Sequence, residues 1–428
     1  MPPVVPPFLS TGDPGSFAMR TIVERKPRIV AQVLESNRVS DEVRRRLEAF
    51  LADMREGVVA NPFDGRDDLR ASFEPEELRA WEGELAAYAG QRWLDIPWYL
   101  AQAYFYLGLL IAWGYYDPLP RASVAENRGL PADPFEVLKE DELGGPQGGL
   151  AVARQIVRAL DGPDGGEEAL GFLLHSSLWG NRVDLGCFEL DESRRREVFS
   201  RDRESLVVDH TDRVLAALAS ARSIGVILDN AGSELACDLL LVDRLLSTPP
   251  APDRRARRTA TLHVKRALFF VSDAMGKDVR RTIAAFCSDA EVLLARAGGR
   301  LEQAMADGRL LLSEHWFWNS PLHFTRMPPL LRAALAGADI VVVKGDANYR
   351  RLLEDRRWEP WRDMEEIAGY FPASFACLRT MKSEIVVDVP REKAEFLSAA
   401  DPEWLINGRR GLVRYCRGRA HAAEGREG

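Results

Sequence analysis

Lys344, Asp346, Asn348 and Arg350 stand two residues apart, directly after the apolar run 340–343. Such a run reads as a strand covered on both faces, and parallel sheets of that kind gather ligands at the carboxyl ends of their strands. Cations, a carboxylate and a carboxamide around Gly345 are the groups of a phosphate cradle with an attached metal ligand, because Arg and Lys match phosphoryl oxygens and glycine lets backbone N–H groups approach. The plainer alternative is an ion pair between Lys344 and Asp346, followed by a solvated helix start at Tyr349, Arg350 and Arg351. Two other segments repeat the arrangement. GVILDNAGSE (225–234) ends its hydrophobics in Asp229 and Asn230, with Glu234 close behind, and FFVSDAM (269–275) ends in Asp273. Either Asp229 or Asn230 alone would serve as a helix cap. The pair, followed by the small Ala231 and Gly232, is more than a cap requires. Asp273 alone reads as a turn opener and takes its meaning from the others. Three carboxylates and a carboxamide at apolar segment ends suit a hard divalent cation facing an anionic substrate. RTMKSEIVVDV (379–389) adds Arg379 and Lys382 ahead of a predicted strand, and LWGNRVDL (178–185) places Asn181 beside a glycine; a surface charge and a turn are the plainer readings of these two.

Other chemistries lose ground on spacing. The six histidines, at 175, 210, 263, 315, 323 and 421, never fall four apart or beside a cysteine, which disfavours a thiolate or imidazole zinc site. No GxxxxGK[ST] loop occurs, and no GxGxxG follows the strand predicted at 224–228. Cys187, Cys237, Cys287, Cys377 and Cys416 show neither metal nor disulfide spacing, so a reducing cytoplasm is expected. A net charge of −8 without a long single-sign block disfavours wholesale nucleic-acid binding. The amino-terminal MPPVVPPFLS lacks the basic region of a secretory signal. Residues 96–113, in which Gln102 is the plainly polar member, approach the length of a membrane span. Their Trp98, Tyr99, Tyr104 and Tyr106 crowd one half, and no Lys/Arg bias orients them, so a helix buried in a helical region is predicted. The expected partner is a small phosphorylated metabolite, with no nucleic acid, no membrane and no obligate protein partner.

The elements that must position these residues change near residue 200. Helical patterns are predicted at 18–37, 41–53, 75–89, 96–113 and 150–160. Beyond lie strands at 224–228, 259–264, 310–314, 340–343 and 384–389, alternating with helices at 233–246, 278–297 and 327–335, and a basic, proline-bearing linker at 248–258. The 428 residues, 46% hydrophobic, are enough for two domains: a mostly helical one over 1–200 and an α/β/α, mostly parallel-sheet, metal-binding one over 201–420, with a disordered tail at 421–428.

GVILDNAGSE, FFVSDAM, VVVKGDANYRRL and RTMKSE, in this order, resemble the metal-dependent damage-control phosphatase family, in particular the subfamily with an Arg-Thr-x-Lys signature (the protein of unknown function 89 type). Some of its members have been described as acidic-residue methyltransferases acting on protein glutamates. The similarity extends through DPGSFAMRTIVERKPRIV (13–30), PWYLAQAYFY (97–106) and LWGNRVDL, and so covers nearly the whole chain. It implies that Asp229, Asn230 and Asp273 hold a divalent cation (Mn2+, Ni2+, Co2+ or Mg2+) and, with Lys344, carry catalysis. It further implies that Asn181, Glu234, Asp346, Ala347, Asn348, Tyr349, Arg350, Arg379 and Lys382 meet the substrate. The implied fold is a helical amino-terminal region on an α/β/α domain, and the implied activity is hydrolysis of phosphometabolites, sugar phosphates such as fructose 1-phosphate or fructose 6-phosphate among them. Gln102 stands where relatives carry Glu, and Leu107 and Gly108 replace a basic pair, departures that bear on the helical region's share in substrate choice. Two competing readings are an S-adenosylmethionine-dependent carboxyl O-methyltransferase, for which the glycine-rich cofactor loop is missing, and a catalytically silent binding module.

Overall fold

The computed structural model describes residues 5–117, 133–160, 167–180, 203–253 and 255–418. Seven strands build one sheet: β1 (Leu206–Asp209), β2 (Ser223–Ile227), β3 (Thr259–Val264), β4 (Leu310–Glu314), β5 (Ile340–Lys344), β6 (Phe375–Thr380) and β7 (Gly411–Cys416). Their order is β1-β7-β6-β5-β2-β3-β4, and every pairing is parallel except β6 with β7. The fold is α/β, as its alternating pattern predicts. All five residues of β5 are buried. Alternate residues serve opposite faces: Val341 and Val343 join one hydrophobic cluster, Ile340 and Val342 the other.

The first cluster runs from the amino-terminal helices, through Trp98, Tyr99 and Phe105, to Tyr349, Phe375 and Leu412. The second packs Leu174, Leu239 and Leu240 against Val226 and Leu378. Full burial of each such aliphatic side chain contributes about 1.5–3 kcal/mol. The helix Trp98–Trp113 is buried on nearly all sides, which accounts for a composition that otherwise reads as lipid-facing. Among the described residues no helix is long and apolar enough to cross a membrane. Cys237, Cys287, Cys377 and Cys416 are free thiols.

Three local expectations are corrected. The helix predicted over 278–297 is two, Gly276–Cys287 and Val292–Ala306, because Glu291 caps the second by accepting from Leu293 N at 3.5 Å. The strand predicted at 384–389 is not one. Side chains occupy its backbone instead: the Ser383 and Ile385 carbonyls accept from Arg379, and Val387 N donates to Tyr349 Oη at 3.2 Å. Asp388 there has φ 64°, incompatible with a ladder. The strand of this region is β6, which, like β1 and β7, the sequence pattern did not signal. Residues 346–350, read as a cradle with a helix starting no earlier than Tyr349, already belong to the helix Gly345–Leu352.

Candidate active site

β5, β2 and β3 are adjacent and parallel, so their carboxyl ends deliver Lys344, Asp229 and the 265–275 segment to one edge of the sheet. Backbone bonds then fix the approach. Ala231 N donates to Ser272 O at 2.6 Å and Ala274 N to Asp229 O at 2.8 Å, and Asn230 and Asp273 form an antiparallel bridge. The two acid-bearing segments, more than forty residues apart in sequence, are thus laced together. The helix after β2 starts at Ser233, beyond Gly232, so neither Asp229 nor Asn230 is its cap.

Asn230 connects the acids. Its Nδ2 donates to Asp229 Oδ2 at 3.0 Å and to Glu234 Oε2 at 2.9 Å, while its Oδ1 accepts from Ser272 Oγ at 2.7 Å. Asp229 is 8% and Asp273 1% exposed. Burial, then the nearby charges of Glu234 and Asp273, holds the Asp229 carboxyl well above the usual carboxylate range. Burial also raises Asp273, against Lys265 and Lys139. Asp273 Oδ2 lies 3.7 Å from Lys265 Nζ and accepts from Phe270 N at 3.1 Å. Gly345 seals the other side: its φ is +81°, and a Cβ there would overlap the Asp229 carboxylate.

The other sequence-derived residues divide into two groups. Asp346, Ala347 and Glu234 are partly accessible and Lys382 is exposed. Asp346 Oδ1 accepts from Arg379 Nε at 2.8 Å and Ser383 Oγ at 2.9 Å; burial favours its neutral form, but Arg379, Arg350 and Ser383 outweigh it and depress its pKa. Tyr349, Arg350, Arg379 and Lys344 are committed within the protein, and Asn348 is buried with its Oδ1 left without a hydrogen-bond partner. Asn348 Nδ2 ties its helix to Leu228 O at 3.2 Å. Tyr349 lies under the Arg379 guanidinium, 4.3 Å from its ring centroid. Arg350 forms a two-pronged pair with Asp355 (2.6 and 2.9 Å), donates to Gln102 at 2.7 Å and stacks 3.5 Å from the Trp98 ring centroid. Arg379 shapes the 383–385 turn. Lys344 pairs with Asp238 at 2.9 Å and Glu234 at 3.2 Å, rather than with Asp346, and donates to Ser177 Oγ at 2.8 Å. Burial works against its charge, yet Asp238 and Glu234 prevail and raise its pKa. Asn181 lies outside the described residues.

Four residues at this edge escaped the sequence reading. Lys265 directly follows β3, so the rule that selects Asp229 would have selected it too. Asp238 is four residues after Glu234 on one helix, a legible i, i+4 relation. Glu142 gave no signal; a Cβ on Gly232 would come 2.5 Å from its Cγ, and burial with the Glu234 charge raises its pKa. Lys26, 2% exposed, sets its ammonium 4.1 Å from the Tyr106 ring centroid and 5.8 Å from that of Phe270, and burial, then Arg25 and Arg350, depresses its pKa.

Among the described residues no three His, Cys, Asp or Glu side chains form a ready-made metal shell. The donors are two buried carboxylates and an amide, and their chemistry fits a hard cation. Like charges held together out of water are stabilised by a positive ion, and Asn230 needs only an amide reversal to present oxygen between Asp229 and Glu234.

The sequence profile of the family described as "Damage-control phosphatase ARMT1-like domain" matches residues 21–397. The chain is 29% identical over 461 aligned positions to human damage-control phosphatase ARMT1, covering 96% of this chain and 99% of that protein. It is 27% identical to the rat protein of that name, with 96% and 98% covered. A crystal structure of a DUF89 family protein from Pyrococcus horikoshii aligns over 89% of this chain and 99% of its own, with TM-score 0.41 and 13% identity.

Proposed function

The chain belongs to the ARMT1-like damage-control phosphatase family, and from that premise we propose that it hydrolyses phosphate monoesters of small metabolites, with fructose 1-phosphate and fructose 6-phosphate as leading candidates, using a divalent cation. The observation that carries this reading is the edge shared by β2, β3 and β5, where two buried carboxylates meet a helix opening at a left-handed glycine. Asp229, Asn230 and Asp273 would hold the cation, which supplies neutralisation of phosphoryl oxygens and orientation of the ester when bound.

The chain's own groups do the rest. The helix Gly345–Leu352 directs its first N–H groups, which have no intrahelical acceptor, toward the side on which Asp229 lies, a natural seat for phosphoryl oxygens. Lys382, exposed and with its backbone N 3.3 Å from Asp346 Oδ1, is a mobile counter-charge for the phosphate. Lys344 holds Glu234, and Arg379 holds Asp346, in place. The partly accessible ring of Phe270, backed by the buried Lys26 and Tyr106, is the apolar side against which the metabolite's carbon skeleton would lie. The methyltransferase reading is not favoured, since Gly232, the glycine after β2, is covered by Glu142 rather than open to a cofactor.

The test is phosphate release from a panel of sugar phosphates in the presence of Mg2+, Mn2+, Co2+ or Ni2+, and again with EDTA. Metal-dependent release led by the fructose phosphates is expected. No release with any metal, together with calorimetric binding of S-adenosylmethionine, would overturn it.

A further inference from the structure

The linker 248–258, basic and proline-bearing, plays no part in the proposed reaction. It joins the carboxyl end of the helix Ser233–Ser247 to the start of β3, so it lies at the edge of the sheet opposite to Asp229. There its residues 248, 249 and 255–258 wall a cavity of about 550 Å³, within the range of small-ligand sites. Among the described residues, Arg255, Arg257, Arg258, Arg300 and Arg309 line it with one acid, Asp243, and Asp307 stands behind Arg309.

Arginine at helix carboxyl ends is often only a partner for unpaired carbonyls. That explanation covers part of the set. Arg300 is bound by Asp243 at 2.8 and 2.5 Å, and Arg309 by Asp307 at 3.0 Å and Leu246 O at 3.4 Å. Arg258 donates to Ala219 O at 2.5 Å and Pro249 O at 3.4 Å. It leaves three things over. Arg255 and Arg257 are exposed and their guanidiniums have no hydrogen-bond or ion-pair partner among the described residues. Arg258 is 3% exposed, yet its Nε is buried without a partner. In a chain with net charge −8, this surplus is concentrated in one concave place. Burial also lowers the Arg258 pKa, a cost that a bound anion would offset.

We propose that this cavity binds a small compound carrying two or more phosphate groups, with Arg255 and Arg257 taking the terminal phosphates and Arg258 forming the cavity wall behind them. Planar guanidiniums donate to phosphate oxygens in pairs, and three of them exceed what one monoester dianion uses. The cavity's size holds a bisphosphate or a nucleotide but not a folded polymer.

Calorimetric titration of the full chain with inorganic tripolyphosphate, in EDTA buffer at low salt, tests this. Wild type is expected to show a site whose affinity falls by about tenfold or more in Arg255→Ser/Arg257→Ser. The variant should release phosphate from p-nitrophenyl phosphate at the wild-type rate with metal restored, so the result is independent of the phosphatase reading. Equal affinity in variant and wild type would overturn the proposal by locating the binding elsewhere. So would tighter binding of a single-stranded oligonucleotide that tripolyphosphate cannot displace, since that identifies a polymer contact.

Discussion

The two edges of the same parallel strands carry opposite charge. At the carboxyl ends stand Asp229, Glu234, Asp238 and Asp273, with Lys265 and Lys344 among them. At the amino ends of β3 and β4 stand Arg255, Arg257, Arg258 and Arg309, with Asp243 as the acid that lines the same hollow among the described residues. Parallel βα units aim helix amino termini at the first edge and helix carboxyl termini at the second, so backbone dipoles favour acids and cations respectively. The difference lies in what each edge leaves unsatisfied. The first gathers more buried negative charge than its lysines hold comfortably; the second has guanidiniums beyond those its acid and carbonyls engage. Only the first sits where a parallel sheet opens into a crevice.

The largest test of this contrast is Asp229→Asn or Asp273→Asn. Either should lower phosphate release by about a thousandfold or more, given several kcal/mol of charge stabilisation at the reacting centre; the melting temperature should hold or rise in Asp229→Asn, which relieves a buried acid of its acidic neighbours, and fall in Asp273→Asn, which leaves Lys265 unpaired. Gly345→Ala comes next. A side chain at φ +81° costs about 1–3 kcal/mol, and displacing Asp229 by about 1 Å should cost about a hundredfold in turnover, readable together as a lower melting temperature and a lower kcat. Lys344→Met should reduce stability by about 3–5 kcal/mol in denaturant titration, because Asp238 and Glu234 would be left facing each other.

Acidity probes the sheet close to the first edge. His263, near the carboxyl end of β3, is held neutral by burial and then by His315, with its pKa pushed down to about 4. The unfolded chain takes up a proton from 6.5 downward and the folded chain does not. Stability is therefore fully present above pH 6.5 and lost as pH falls toward about 4, by at most about 1.4 kcal/mol per pH unit for this group. His263→Asn should flatten that slope in melting curves. The smallest effect belongs to the arginine edge: Arg300→Met, at a half-exposed pair, should cost about 1 kcal/mol or less and leave turnover unchanged. A large activity loss there would erase the distinction between the edges.

Much of the first edge was legible. β3 and β4 have the bounds their apolar runs predict, β5 differs by one residue at its end, and β2 is shifted by one residue at both ends. The placement of Asp229, Asn230 and Asp273 follows from those strand ends. Side-chain direction was not legible. Arg350 and Arg379 are of the right type for phosphate, yet each is drawn inward by a partner far away in sequence or by a turn that it creates: Gln102 in one case, the 383–385 carbonyls in the other. The same bonds explain the missing strand at 384–389, whose apolar residues are buried by Tyr349 and Arg379 rather than by a neighbouring ladder. β7 interrupts its apolar run with a buried arginine, and β1 has four residues, too few for a period to emerge.

Because Trp98, Tyr99 and Phe105 share a cluster with Val341, Val343 and Phe375, the amino-terminal helices act as the roof of one sheet face. Severing the polypeptide near residue 200 would strip that roof and leave a broad greasy plane in water. Expressed alone, the carboxyl-terminal portion should precipitate, whereas the two fragments produced together should find each other and restore the shelter.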